Sequence, residues 1–209
     1  MLESLILKGA IVSIDAMGCQ KDIAAAIVES EAYYILALKR NHESLFFQAK
    51  SEFTRQKLKS CSHIEKGHGR ITNWKVCVQS NQQFIDDVHL WKGLKSLVKI
   101  TTTTTNLIND KITYQDRYYI SSLVVEPKRF MELIRKHWQI ENNFHWVLDV
   151  QFSKDFSRIR EKGGDQNFSL FRKIGLNVIN KAKTKGMSVN RMRIKAALDD
   201  KFRTKVMNI

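Results

Sequence analysis

Proline is nearly missing from this chain of 209 residues, where only Pro127 occurs. No stretch rich in Pro, Gly or Ser stands out as a linker. Cysteine is scarce as well. Cys19, Cys61 and Cys77 are odd in number and widely spaced, which leaves no disulfide framework and no C-x-x-C metal site to be read from them. They suit a reducing compartment, as small and mostly buried residues. No apolar run is long enough to cross a bilayer. The opening residues, MLESLILKGAIVSIDAMG, lack the basic start and small-residue cleavage site of a secretion signal. These absences predict a cytoplasmic protein with no membrane partner.

Negative charge is the other shortage. Only 21 Asp and Glu face 35 Lys and Arg, for a net charge of +14. Such an excess attracts polyanions, of which nucleic acid is the commonest. An anionic membrane surface fits less well, because no Lys-rich amphipathic helix stands apart from the rest. The imbalance is steepest at the end. Residues 172–209 hold eleven Lys and Arg, beginning with Arg172 and Lys173, against only Asp199 and Asp200. A helical surface this basic can lie along a DNA backbone with sequence-independent, salt-sensitive affinity; the plain alternative is a solvated helix face. Lys39 and Arg40, after a predicted strand, and Arg158 and Arg160 are further candidates for phosphate contact.

Hydrophobic residues make up 43% of the chain, enough to bury a real core. A short apolar run at 10–14 fits a strand buried on both faces. QKDIAAAIVESEA follows as a helix and YYILALK as a second buried strand, the βαβ pattern of a parallel sheet. Residues 43–59 look helical. SCSHIEKGHGR reads as a polar loop, whereas ITNWKVCVQ, LKSLVKITTTTTNLI and ITYQDRYYISSLV read as strands. The five threonines at 101–105 suit an extended strand, and NDK at 109–111 suits a hairpin turn. From Pro127 a helix of up to six turns is expected, then two amphipathic segments at about 165–184 and 188–207. The four tryptophans, Trp74, Trp91, Trp138 and Trp146, are assigned to the core.

Two carboxylates stand out. On a helix with about 100° per residue, Phe130, Ile134 and Leu148 lie within about 20° of Glu141, with Trp138 and Phe144 at about 60°. Glu141 therefore occupies the centre line of an apolar stripe. A carboxylate buried there without a partner costs several kcal/mol, so it protonates, pairs with Lys or Arg, or binds a metal. Asp15 ends the first strand just ahead of Gly18 and a helix. Ligand sites form at the carboxyl ends of strands in open α/β sheets, although a helix-capping Asp would look the same. An Asp on a strand end and a Glu on a later helix can share hard cations such as Mg²⁺ or Mn²⁺. In a basic protein that pair points to metal-assisted phosphodiester chemistry, for which a third acid is normally needed. His137, Glu141 and His145 share a face at i, i+4 and i+8, but three ligands over two turns rarely converge on one zinc. The two histidines are better read as bordering the carboxylate and contacting DNA.

The run IRKHWQIENNFHWVLDVQFSKDFSRIRE closely resembles the signature of H-repeat-associated transposases, a branch of the insertion-sequence DDE transposases. KGAIVSIDAMGCQKDIA resembles their segment around the second catalytic aspartate, and YYILALKRNH, GHGR, RYYISSL and NFSLFRKIGLNVI fit in order. The resemblance implies an α/β, RNase H-like transposase core. Residues 1–60 would supply core strands and helices, residues 61–126 a β-rich insertion, and residues 127–209 the Glu141 helix and a helical C-terminal cap, all within one partial domain. It further implies a DDE triad holding two Mg²⁺ ions that cuts DNA at element ends and transfers the strand to target DNA. Asp15 matches the second acid and Glu141 the third. The family's first acid lies upstream of anything matched here, so the sequence looks like an N-terminally truncated copy. Its activity would be impaired, and the alternative is a non-catalytic DNA-binding remnant. The 10–14 strand would then have an open edge that invites pairing with another chain, a homo-oligomer included.

Overall fold

A computed structural model describes residues 5–55, 58–67, 69–80, 85–86, 88–140, 146–152, 158, 163–183 and 186–208. The chain divides into two compact units, Met1–His137 and Trp138–Ile209.

The first unit opens with β1 (Ile11–Ile14), α1 (Lys21–Glu29) and β2 (Tyr33–Leu38), and β1 and β2 run parallel. This is the βαβ unit expected from the alternation of apolar runs. Next come α2 (Glu43–Arg55), β3 (Lys59–Gly67), β4 (Arg70–Gln79), β5 (Ser96–Asn106), β6 (Ile112–Ser121) and α3 (Pro127–Ile140). All six strands form one mixed sheet in the order β1-β2-β6-β5-β4-β3. β2 meets β6 antiparallel over only four pairs, Ile35↔Ser121 to Leu38↔Tyr118, whereas β4 and β5 pair along ten residues. The threonine run lies inside β5, and the β5–β6 turn carries Asp110 at φ 53, a backbone that Asn and Asp tolerate better than other side chains.

Register fixes what each face carries. Tyr34, Leu36 and Leu38 point to one side with Leu97, Tyr118 and Ile120, and there they pack with Ala24 and Ile27 of α1 and Leu45 and Ala49 of α2. Ser13, Ile35, Val76, Trp74 and Glu65 point to the other side. α3 lies on that side, because His137 is bonded to Ser13 and Arg135 pairs with Glu65 and stands over the Trp74 ring. Its inward residues Phe130 and Ile134 are 0% and 1% exposed, so two of the three stripe residues nearest Glu141 in angle are buried on α3. Pro127 opens that helix, where its missing N–H costs nothing.

Three expectations need correcting here. SCSHIEKGHGR is largely strand, not loop: β3 pairs residue for residue with β4 from Lys59↔Val78 to Gly67↔Arg70. Its exposed, polar positions erase the alternation that would have marked it. β1 is half-buried rather than buried on both faces, since it is the edge strand of the described sheet. Trp146 is 53% exposed and not a core residue, while Trp91 at 3% is.

The second unit contains a π-helical turn (Val147–Gln151), α4 (Gly164–Lys181), α5 (Val189–Leu198) and α6 (Asp200–Met207). The single amphipathic segment expected at 188–207 is therefore two helices. Asp199 breaks it: its backbone is extended at φ −124, and its carboxylate caps α6 by accepting from the Phe202 N–H at 3.0 Å, a strong helix-start signal. Leu176 packs with Val147 and Leu148, and Ile179, Met192 and Val206 form a second small core. Leu148, the third residue of the stripe, is 1% exposed.

Candidate functional site

β1 and β2 are parallel, so both release the chain at the same end of the sheet. Asp15 leaves β1 there, and residues 39–42 leave β2 beside it. Asp15 turns at once into a single 3₁₀ turn, Ala16–Gly18, with Oδ1 accepting from the Ala16 N–H at 2.6 Å. The turn closes through Gly18 N–H to Asp15 O at 2.9 Å and Cys19 N–H to Ala16 O at 3.2 Å. Gly18 is required for steric reasons, because a β-carbon there would collide with the Cγ2 methyl of Ile14. Asp15 thus does cap a turn, as the plainer reading of the sequence allowed, and it is also exposed at a strand end.

The ammonium of Lys39 lies 3.7 Å from Asp15 Oδ1, with both side chains more than half exposed. In water an exposed pair of this kind contributes about 0.2–1 kcal/mol, too little to lock either side chain. Arg40 begins a 3₁₀ turn, Arg40–His42, and is exposed. Asn41 Nδ2–H donates to Ala16 O at 2.9 Å. His42 Nε2–H donates to Cys19 O, and its ring meets Trp91 edge-on at 4.8 Å. Neither Asn41 nor His42 stood out in the sequence beside their cationic neighbours. The signal available was their place, directly after the second strand of a parallel pair.

His137 reaches β1 from α3. Its Nδ1 is 3.1 Å from Ser13 Oγ, two residues before Asp15. The last turn of α3 is thereby tied to the end of β1. Glu141, His145 and Arg160 lie outside the described residues. Among the described residues, no three His, Cys, Asp or Glu side chains form a group that could hold a metal. Asp15 is of the right type for a hard divalent ion, an accessible carboxylate at a strand end. It is the single sequence-nominated metal ligand inside the described residues.

In the second unit, Lys173 is exposed and Arg172 is half-exposed, with its guanidinium 5.8 Å from the centroid of the Phe168 ring. Arg193 stands over Phe152, and Lys195 over Phe202 at 4.6 Å. Such contacts let long cationic side chains cover apolar area with their stems. Arg158 is exposed. No helix among the described residues is long and apolar enough to cross a membrane.

Comparison with known proteins gives a consistent picture. Residues 1–178 match a family model described as "Transposase DDE domain". The chain is 39% identical over 207 residues to "Putative transposase YncI" of Escherichia coli O157:H7, covering 95% of this chain and 53% of that protein. It is 34% identical over 216 residues to "H repeat-associated putative transposase YhhI" of Escherichia coli strain K12, covering 99% of this chain and 57% of that one. "Putative protein YbfL" of the same strain matches at the same identity and coverage. The chain spans about half the length of these curated relatives.

Proposed function

Because this chain belongs to the DDE transposase family, we propose that it serves DNA transposition through metal-dependent cleavage and transfer of DNA strands, with Asp15 and Glu141 as metal-holding carboxylates. Membership implies an RNase H-like fold, and the mixed six-stranded sheet with helices on both faces agrees with it. It also implies a divalent metal and DNA as partner.

One observation supports the assignment of the two acids more than any other. Ser13 and His137 are hydrogen-bonded, and they stand two residues before Asp15 and four before Glu141. The buried side chains of Phe130 and Ile134 fall eleven and seven residues before Glu141, on its side of an ideal helix. Divalent ions bound by such carboxylates supply activation of an attacking oxygen and stabilisation of a leaving one. The chain's own residues have narrower tasks. Asp15 presents a hard oxygen ligand at a strand end. Lys39 and Arg40 bring positive charge to the same end of the sheet, where a phosphodiester backbone would be received, and His137 and His145 are assigned to DNA contact. Arg158, Arg160, Arg172 and Lys173 are assigned to further contacts with the phosphate backbone. Mg²⁺ is the expected ion, with Mn²⁺ as its substitute.

The test is calorimetric titration of Mg²⁺ or Mn²⁺ into the purified protein, with Asp15→Ala and Glu141→Ala alongside. Binding in the parent that disappears in both variants is the expected result. A parent that binds no divalent ion, yet holds DNA with salt-sensitive affinity, would replace this reading with that of a non-catalytic DNA-binding protein.

A further inference from the structure

We propose that Asn41 and His42 are positioning residues for Asp15, clamping both ends of the turn that carries it. The inference rests on the reading of Asp15 as a metal ligand. Ala16–Gly18 is one short 3₁₀ turn, and the contact of Asp15 with its own neighbour, Ala16 N–H, ties the carboxylate to the turn without tying the turn to the sheet. Residues 41 and 42 supply that second connection. The Asn41 carboxamide donates to Ala16 O at 2.9 Å, across 25 residues of sequence. The His42 imidazole donates to Cys19 O. The two carbonyls bracket Met17 and Gly18, so the peptide planes following Asp15 are fixed from both sides. Trp91 is 3% exposed and meets the His42 ring edge-on, which holds the imidazole in place. The clamp sits in the 3₁₀ turn directly after β2, the strand beside β1, so it moves with the sheet that carries Asp15. A ligand set works only when it is held within about half an ångström of its geometry by surrounding hydrogen bonds.

The chemistry requires donors. Asp at position 41 matches Asn in shape yet offers no N–H, and Phe at position 42 keeps the edge-on ring while losing Nε2–H. Hydrogen exchange of the whole chain, read amide by amide by NMR, is the direct test. In Asn41→Asp and His42→Phe the Gly18 and Cys19 amides should exchange roughly five- to ten-fold faster, the worth of one lost hydrogen bond, while the amides of Leu36 and Leu38 in β2 keep their rates. Unchanged rates at Gly18 and Cys19, or equal acceleration throughout the sheet, would overturn the clamp. So would acceleration in Asn41→Ala that is absent in Asn41→Asp, because it would mean that filling space is what matters. Mn²⁺ titration then links the clamp to the site. Asn41→Ala and His42→Phe should weaken Mn²⁺ binding several-fold at a temperature well below melting, where both variants stay folded, and unchanged affinity overturns the positioning role. Mn²⁺ affinity that survives in Asp15→Asn overturns the metal reading of Asp15 alone, leaving the exchange rates to judge the clamp.

Discussion

Glu52 and Gln79 offer a test of what fastens the long antiparallel strands to the core. Glu52 lies on α2 and Gln79 is the last residue of β4; each is 6% exposed, and Gln79 Nε2–H donates to Glu52 Oε1 at 2.9 Å. Gln79→Leu keeps the volume and removes the donor, leaving a buried carboxylate short of a partner. A hydrogen bond to a charged group contributes about 1.5–3 kcal/mol, so the variant should lose about 2 kcal/mol, close to thirty-fold in the folding equilibrium. Glu52→Leu alone should cost about 1–2 kcal/mol, because the buried carboxamide then loses its hydrogen bond to Glu52. With both replaced, neither polar group is stranded. The double variant should be at least as stable as the worse single one, a coupling of at least about 1 kcal/mol. Urea unfolding followed by far-ultraviolet circular dichroism measures all four corners of the cycle. Additive losses would refute the reasoning, since they would mean that the two side chains act independently despite their contact.

Four further outcomes are expected. Phe130→Ala, at a fully buried position of α3, should cost about 3–5 kcal/mol, read as a lowered thermal midpoint. Burial pushes the Cys19 thiol up from 9.0 to about 12. At pH 8 it should therefore resist a thiol-specific dye until the chain unfolds, since the thiolate is the reactive form. The sign of the linkage follows: the folded state holds this proton more tightly, so stability present below pH 9 is lost as pH rises towards 12, which denaturant midpoints across that range will show. Replacing Arg172 and Lys173 together with Ala should make the logarithmic salt dependence of DNA affinity shallower by up to about 1.8 if both reach phosphates. An unchanged slope removes them from the interface.

The βαβ unit was legible because β2 buries five of its six residues and α1 turns Ala24 and Ile27 inward about one turn apart, and burial writes itself into runs and periodicities. β3 was not, because its residues are exposed and only its pairing with β4 makes it a strand. The break at Asp199 was present in the sequence as an Asp–Asp pair ahead of an apolar position, but the helical period continues across it. Asp15 was legible from its place at a strand end, and so were the cations after β2. Asn41, His42 and Ser13 were not. Their roles depend on two strands and a helix meeting across separations of up to 124 residues, and no local pattern records that.

β6 continues through residues 112–117 beyond its pairing with β2, roughly 20 Å of sheet at 3.4 Å per residue. Most positions there are exposed, and the hairpin partners opposite them in β5 include the five threonines. Mechanically this part of the sheet is an outrigger, joined to its neighbours by backbone hydrogen bonds, by the contacts of Asp116 with Lys99 and Thr101, and by little buried apolar area. Such a region opens at a lower free energy than the core that carries it. Changes to its tip in length or sequence should therefore leave the strand ends that hold Asp15 undisturbed, so the outer sheet is free to vary while the site stays fixed.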